Sequence, residues 1–376
     1  MKVLQVLPAL DAGGVERTTV EVAGALVAAG HAAHVASAGG RLEGELRALG
    51  ARLHTLPLDT KNPLRWPANR RTLEAIVREH GLDIVHARSR APAFAARRAA
   101  RAAGAHWITT YHGIYTEGLP LKRRYNAVMA SGERVIANSA WTRDHILRTH
   151  GVEPARLRVI PRGVDMARFD PARVRENLRA DLRPDLRPDW GVEPDAVLWV
   201  LPGRLTAWKG QEVAVRALAQ VPEARLALVG DAQGRTAYVE GLRALARRLG
   251  VQERLVIRPH SADMPRVLAS ATLVVSASTE PEAFGRVAVE AQAMGVPVVA
   301  SAHGGSLETV VDGTSGRLVP PGDASALARA CREVAWGVAG GRFDREALRA
   351  RIQREFSDTA MKRAVLAVYA ELVGRD

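Results

Sequence analysis

Two glutamates, Glu282 and Glu290, lie between two apolar runs of the chain, Thr272–Ala277 and Val296–Ser301. The runs predict buried parallel strands, and Glu282 is predicted to lie in the loop after the first of them. A helix is predicted to begin near Gly285 and to contain Glu290. Ligands bind at the carboxyl ends of the strands in open α/β sheets. Ionised carboxylates only accept hydrogen bonds, so the pair suits a ligand with several hydroxyl groups, such as a sugar joined to a nucleotide.

A second group of chemically capable residues lies in the segment Pro202–Gly210, which follows one predicted strand and precedes a helix. It carries the cations Arg204 and Lys209 in one strand-to-helix loop. Guanidinium and ammonium groups beside a helix N-terminus supply the charge and the directed donors that a diphosphate needs. The sequence contains no Asp-x-Asp pair, which would hold a divalent cation on a diphosphate. We therefore predict a site that uses side-chain cations and needs no metal or other cofactor.

These motifs resemble the donor site of glycosyltransferase family 4, whose members are retaining enzymes of the GT-B fold. The resemblance rests on Gly-Arg-x-x-x-x-Lys-Gly, on two glutamates separated by seven residues, and on Gly-x-Pro-Val-Val-Ala after them. It implies that Arg204 and Lys209 hold the donor diphosphate, that Glu282 holds sugar hydroxyls and that Glu290 holds the ribose. The residues Ala283, Phe284 and Gly285, which follow the first glutamate, are implied to contact the donor as well.

The same resemblance assigns roles to residues elsewhere in the chain. Gly13 and Gly14 are expected to face the donor phosphates at the start of a helix, where free N–H groups and the absence of side chains allow close approach. His112 is expected to act in catalysis by contacting the donor sugar near its anomeric carbon. His260 is expected to lie near the nucleotide base, and the donor is expected to be a UDP- or GDP-sugar.

Two further segments have less defined roles. Gly304 and Gly305 open a predicted helix and are expected to approach the donor closely. Arg162 stands where the family commonly has asparagine, and we expect it to belong to a hinge, although contact with an acidic acceptor is the alternative.

Alternating short strands and helices predict an α/β protein with parallel sheets. The resemblance implies two Rossmann-like, doubly wound domains facing each other across a cleft, with the acceptor on the first and the donor on the second. We predict an N-terminal domain over residues 1–170, a linker loop over 171–191 and a C-terminal domain over 192–357. The linker contains a duplicated Asp-Leu-Arg-Pro. A helix over about 358–376 is expected to return to the first domain.

Composition limits the possible partners and compartments. The single cysteine, Cys331, fits a reducing compartment. We expect no signal peptide, because the first apolar run is short and soon broken, and no apolar run is long enough to predict a membrane span. Of the net charge of +13, residues 1–170 carry +10. We expect a cytoplasmic protein that does not bind nucleic acid. Its basic segment either faces an anionic membrane or is simply solvated. This segment comprises Leu119–Tyr125 and the preceding Arg90, Arg97, Arg98 and Arg101.

The predicted activity is the transfer of a sugar to a glycan or glycolipid acceptor, with the cell envelope (lipopolysaccharide or exopolysaccharide) as the expected destination. Three alternatives remain at this stage. A nucleotide-sugar epimerase or a phosphorylase can share the fold, and a family member can act as a non-catalytic partner. The joint presence of the cation loop and the glutamate pair favours the transferase.

Overall fold

The computed structural model describes residues 1–11, 13–60, 62–113, 115, 120–176 and 185–374. The chain divides into two compact units, one formed by Met1–Gly163 with Asp358–Asp376 and the other by Val164–Ser357. The division falls between Gly163 and Val164, whereas the sequence suggested a boundary at residue 170. A helix, Pro171–Glu176, forms at the start of the segment expected to be a loop, and residues 177–184 of that segment lie outside the described residues.

The first unit contains a seven-stranded parallel sheet in the order β3-β2-β1-β4-β5-β6-β7. Its strands are β1 (Lys2–Val6), β2 (Ala32–Ser37), β3 (Arg52–Thr55), β4 (Ile84–Ala87), β5 (His106–Tyr111), β6 (Arg134–Ala137) and β7 (Leu157–Val159). The interior strands are buried on both faces because helices cover each side, which explains their continuous apolar runs.

Among the described residues, these strands alternate with the helices α1 (Gly14–Ala28), α2 (Glu43–Ala48), α3 (Trp66–His80), α4 (Arg90–Ala103), α5 (Pro120–Asn126) and α6 (Ala140–His150). Helix α4 shows why they pack closely. Its buried face consists of small residues, among them Ala93, Ala96 and Ala100, which let the helix approach the sheet and α3.

The second unit contains a six-stranded parallel sheet in the order β10-β9-β8-β11-β12-β13. Its strands are β8 (Val197–Pro202), β9 (Ala224–Val229), β10 (Leu255–Arg258), β11 (Leu273–Ser276), β12 (Val298–Ser301) and β13 (Gly316–Val319). Its helices are α7 (Pro171–Glu176), α8 (Gln211–Leu218), α9 (Thr236–Arg248), α10 (Met264–Ala269), α11 (Arg286–Ala293), α12 (Ser306–Thr309), α13 (Ala324–Ala339) and α14 (Arg345–Glu355).

The helix α15 (Asp358–Val373) returns to the first unit. Its residues Met361, Val365 and Val368 are buried in the same hydrophobic cluster as β1, β2 and α1. Gly163 lies against the start of this helix, where a Cβ atom would overlap the backbone of Asp358.

Both sheets are parallel and carry helices on both faces, so the predicted α/β, doubly wound class is confirmed. In the part of the chain that the structure describes, no helix combines the length and the apolar character needed to cross a bilayer.

Candidate functional site

The order of the second sheet identifies where a ligand should bind. Strand β8 lies between β9 and β11, so the chain leaves β8 toward one edge and later resumes on the other side of it. A crevice forms outside the carboxyl ends of strands at such a switch point, because the loops on either side turn in opposite directions. The loops that follow β8 and β11 carry Arg204, Lys209 and Glu282.

The loop after β8 is shaped by glycines. Gly210 adopts a left-handed conformation with φ of 73° at the start of α8, and a Cβ there would overlap the carbonyl of Ala277. Gly203 has φ of 145°, and its carbonyl lies so close to Gly230 that only glycine fits at the latter. The buried amide of Gln211 donates to the backbone carbonyl of Arg204 at 2.9 Å. The loop backbone is therefore fixed from both sides.

Lys209 and Glu282 form the central contact of the site. The Nζ atom of Lys209 lies 2.7 Å from Oε1 of Glu282, and each side chain is only 14% exposed. The buried hydroxyl of Ser278 donates to the same carboxylate oxygen. Arg204 is exposed and, within the described residues, its side chain makes no ion pair. One predicted cation is thus held in place, and the other is available to an anionic ligand.

The loop after β12 packs against the backbone of the Glu282 segment and supports it. The backbone N–H of Gly305 donates to the carbonyl of Glu282 at 2.8 Å. A Cβ at Gly304 would overlap the backbone of Glu282, and one at Gly305 would overlap the backbone of Phe284. These glycines, which the sequence suggested would approach the donor, are in close contact with the loop that carries the carboxylate.

A histidine completes this support. His303, in the same loop, places Nε2 2.8 Å from the carbonyl of Ser278, the residue that donates to Glu282. The β12 loop therefore holds the Glu282 segment through side chain as well as backbone.

The remaining predicted donor residues of this unit differ in their surroundings. The side chain of Phe284 is buried in the core, where its ring lies tilted against that of Phe356 with centroids 5.7 Å apart, so any ligand contact at this position must come from its backbone. Gly285, with φ of 82°, caps the start of α11, and Ala283 lies two residues before it in the loop. Glu290 lies within α11 and pairs with Arg286 at 3.1 Å. His260 is exposed after the edge strand β10.

The first unit has its own switch point, between β1 and β4. Gly13 precedes α1 in an extended conformation and makes no side-chain cap, and Gly14 is the first residue of that helix. The carboxylate of Glu16 lies next to Gly13. On the other side of the switch point, the residue immediately after β4 is Arg88.

Arg88 is a buried cation that the sequence reasoning missed. It is 2% exposed, and its guanidinium donates to Gln5 on β1 at 2.9 Å through Nε. Burial lowers the pKa of this arginine. The signal in the sequence was an arginine directly after a strand, but only the pairing of β4 with β1 shows that it reaches the switch point.

A buried hydrogen-bonded chain extends from Arg88. Its Nη1 lies 3.5 Å from the hydroxyl of Thr110, which lies 2.7 Å from Nε2 of His86. Nδ1 of His86 in turn lies 2.7 Å from the hydroxyl of Tyr369 on α15. Burial, with the nearby charge of Arg88, holds the pKa of His86 well below its usual value.

His112 follows β5 and lies beside these residues. Arg162 places Nη2 3.3 Å from Nδ1 of His112 and donates to its backbone carbonyl. Burial first, and then the guanidinium groups of Arg162 and Arg88, hold the pKa of His112 well below its ordinary value. The imidazole is therefore neutral at pH 7. Its Nε2 atom is buried and has no hydrogen-bond partner among the described residues. Arg162, expected to be a hinge residue, is thus a direct neighbour of a predicted catalytic residue.

The two Rossmann-like domains, with chemically capable loops at the switch point of each sheet, define the GT-B class of protein. The chain belongs to glycosyltransferase family 4, as the resemblance predicted. The profile described as Glycosyltransferase Family 4 matches residues 12–168, and that described as Glycosyl transferases group 1 matches residues 183–335. Members of this family are enzymes that transfer glycosyl groups.

Individual relatives agree with this assignment. The chain is similar over its full length to a solved glycosyltransferase from Rickettsia africae, with 33% identity, 100% and 99% of the two chains covered and a TM-score of 0.90. It is also similar to HepE of Anabaena, solved in complex with UDP, with 26% identity, 99% and 100% of the chains covered and a TM-score of 0.84.

A D-inositol 3-phosphate glycosyltransferase of Xylanimonas cellulosilytica is 35% identical over 260 residues, which are 66% of this chain and 59% of the relative. The chain therefore matches little more than half the length of this curated relative.

Proposed function

We propose that this protein transfers a glycosyl group from a nucleotide-sugar donor, a UDP- or GDP-sugar, to a glycan or glycolipid acceptor. The observation that carries the proposal is the contact of Lys209 with Glu282 at the switch point of the second sheet. It brings a cation suited to a diphosphate within reach of a carboxylate suited to sugar hydroxyls. The complex of the related HepE with UDP supports a uridine nucleotide as the first donor to test.

Each residue has a chemical role in this proposal. Arg204 and Lys209 neutralise the charge that develops on the diphosphate as it leaves. Lys209 is already held in place by Glu282, so it needs little reorganisation for this step. Glu282 accepts hydrogen bonds from sugar hydroxyls, and Glu290 does so from the ribose. Because Glu290 is paired with Arg286, ribose binding must share or displace that contact.

His112 acts as a neutral hydrogen-bonding group in this scheme. Its unpartnered Nε2 gives it a free position for a donor hydroxyl, and its lowered pKa keeps the ring uncharged at pH 7. We further propose that transfer proceeds with retention of configuration, with the leaving phosphate accepting the proton of the acceptor. No metal ion is required in this scheme, because the two cations supply the charge.

The acceptor is proposed to belong to the cell envelope and to be presented at an anionic membrane surface. The supporting observation is α5, where Leu121 is 81% exposed beside the exposed cations Lys122 and Arg124. Arg90 does not contribute to this surface, since its guanidinium lies 3.9 Å over the ring of Tyr115 and donates to Asn126. Sedimentation with anionic vesicles should fall when Lys122 and Arg124 are replaced by glutamine, and unchanged sedimentation would refute the membrane role.

The experiment that tests the transferase function begins with a thermal-shift screen of UDP, GDP and their sugars, because a bound ligand raises the apparent stability of the folded state. The best donor is then assayed for hydrolysis and transfer in the presence of a chelator. NMR of the product gives the anomeric configuration. Absence of both binding and turnover for every donor would refute the proposal. Conversion of the donor sugar without any acceptor would instead identify an epimerase.

A further inference from the structure

Three histidines from separate parts of the first unit come together: His34 on β2, His54 on β3 and His80 at the end of α3. One ligand nitrogen from each lies within 4.8 Å of the others. His34 Nδ1 lies 2.9 Å from His54 Nε2, and these two rings stack with centroids 5.2 Å apart. The ring of His80 lies 4.9 Å from that of His34 and 5.3 Å from that of His54.

The backbone fixes this arrangement. Strands β2 and β3 pair so that His34 is opposite Arg52 and Ala36 is opposite His54, which puts both imidazoles on one face of the sheet. Helix α3 ends at His80 because Gly81, with φ of 57°, adopts the left-handed conformation that closes a helix. The cluster therefore rests on two paired strands and a fixed helix end.

Both cationic and anionic side chains lie next to the cluster. Arg52 places Nη1 3.4 Å from Nδ1 of His80, and the Nζ atom of Lys2 donates to the backbone carbonyl of the same histidine. Glu79 offsets them, with a carboxylate oxygen 3.8 Å from His80 Nε2. Burial, followed by the neighbouring imidazoles and cations, lowers the pKa of His34 to about 4. The geometry therefore brings three imidazole rings together with one carboxylate beside them.

We propose that His34, His54 and His80 bind one divalent transition-metal cation of the zinc type, with water or Glu79 completing its coordination. Three imidazoles are a ligand set for Zn²⁺, Co²⁺, Ni²⁺ or Cu²⁺, whereas Mg²⁺ and Ca²⁺ take oxygen ligands. Zn–N bonds of about 2.0–2.1 Å require ligand nitrogens about 3.3 Å apart, so the partly exposed ring of His80 must turn inward slightly. The role is to tie β2, β3 and α3 together.

This site is distinct from the proposed donor site. Its ligands belong to the edge strand β3, to its neighbour β2 and to α3, whereas the predicted donor residues of the same unit follow β1 and β5. The cation therefore has no part in sugar transfer. Its loss should lower the stability of the first unit without changing the chemistry.

Cobalt titration of untagged, metal-free protein tests the proposal, because the visible absorption of Co²⁺ reports the number and kind of its ligands. We expect one Co²⁺ ion to bind per chain, with the intense visible absorption of a Co²⁺ ion that has few ligands. Zn²⁺ should displace this Co²⁺, and Mg²⁺ should not. Zn²⁺ should also raise the Tm. H54Q and H80Q should each weaken binding by at least about tenfold.

The matched control is H106Q, because His106 is a more exposed histidine that pairs with Glu133 and lies outside the cluster. It should bind Co²⁺ like the unaltered protein. H80Q lies at a helix end and is expected to fold, so it decides the matter even where a variant of the buried His34 does not fold. The proposal is overturned by failure to bind Co²⁺ and Zn²⁺ at micromolar concentrations, or by binding that H54Q and H80Q leave unchanged.

Discussion

Replacing Lys209 by alanine removes the cation that contacts Glu282. Among the described residues, the hydroxyl of Ser278 is then the remaining side-chain donor to that carboxylate. Breaking a fully buried ion pair costs about 3–5 kcal/mol, and an exposed pair contributes about 0–1 kcal/mol. With both side chains 14% exposed, the variant should lose stability between these limits, about 2 kcal/mol.

The expected effect on activity is larger than that on stability. Loss of one fixed charge opposite a developing anion lowers turnover by about 10²–10³-fold. The assay is kcat/KM for transfer, or for donor hydrolysis where the acceptor is unknown, measured on protein shown to be folded by circular dichroism. Arg216→Ala is the control, because Arg216 is an exposed cation on the following helix that pairs with Glu212. It should retain full activity.

A second substitution separates the two effects. Adding Glu282→Gln to Lys209→Ala removes the unpaired buried charge, so stability should be largely restored while activity stays low. A Lys209→Ala variant that folds and keeps kcat/KM within about threefold of the unaltered protein would refute the role of Lys209 in holding the diphosphate.

Three other predictions follow from the described contacts. Gly305→Ala should cost about 2–4 kcal/mol of unfolding free energy, since the added Cβ overlaps the backbone of Phe284. Gly241→Ala, in open space within α9, should be neutral or stabilising. Equal denaturation midpoints for the two variants would contradict this. His112→Gln should lower turnover by about tenfold but leave the affinity for UDP alone unchanged, as isothermal titration can check; a matching loss of UDP affinity would argue against a contact with the sugar. The folded state holds the pKa of His86 well below its usual value, so this histidine takes up a proton in the unfolded chain at a higher pH than in the folded one. Stability should therefore fall as the pH drops below about 6.5. A Tm that is flat between about pH 7 and pH 5 would contradict this.

The strands were predictable because each is a short apolar run that ends in polar or glycine-containing loops. The apolar runs Thr272–Ala277 and Val296–Ser301 contain the observed strands Leu273–Ser276 and Val298–Ser301. Parallel sheets buried on both faces require such runs, so the signal in the sequence was strong. The helix at Pro171–Glu176 was missed because the prolines and the repeat suggested a loop, although proline favours the first turn of a helix.

The contacts within the site were less accessible to sequence reasoning. The strand order that brings β8 beside β11 is not written in the spacing of residues, so the approach of Lys209 to Glu282 had to come from the structure. Phe284 belongs to the motif, yet its side chain packs in the core. Motif membership does not distinguish a side chain that meets a ligand from one that anchors the loop.

Arg88 and the three clustered histidines could not be predicted from the sequence for a related reason. Each depends on strands or helices that are distant in the chain, and neither forms a local pattern. His34, His54 and His80 do not have the spacing of any short metal-binding motif, since their proximity comes from the pairing of β2 with β3 and from the end of α3.

The return of α15 to the first unit has a consequence for biosynthesis. Until that helix leaves the ribosome, the faces that Val365 and Val368 cover remain open to water, and His86 lacks its partner Tyr369. The second unit, Val164–Ser357, is continuous in the chain and is synthesised before the first can close. The first unit therefore stays incomplete until the second unit and α15 have been synthesised. A chain that ends before Asp358 would expose the apolar surface that α15 covers and could be bound there by chaperones.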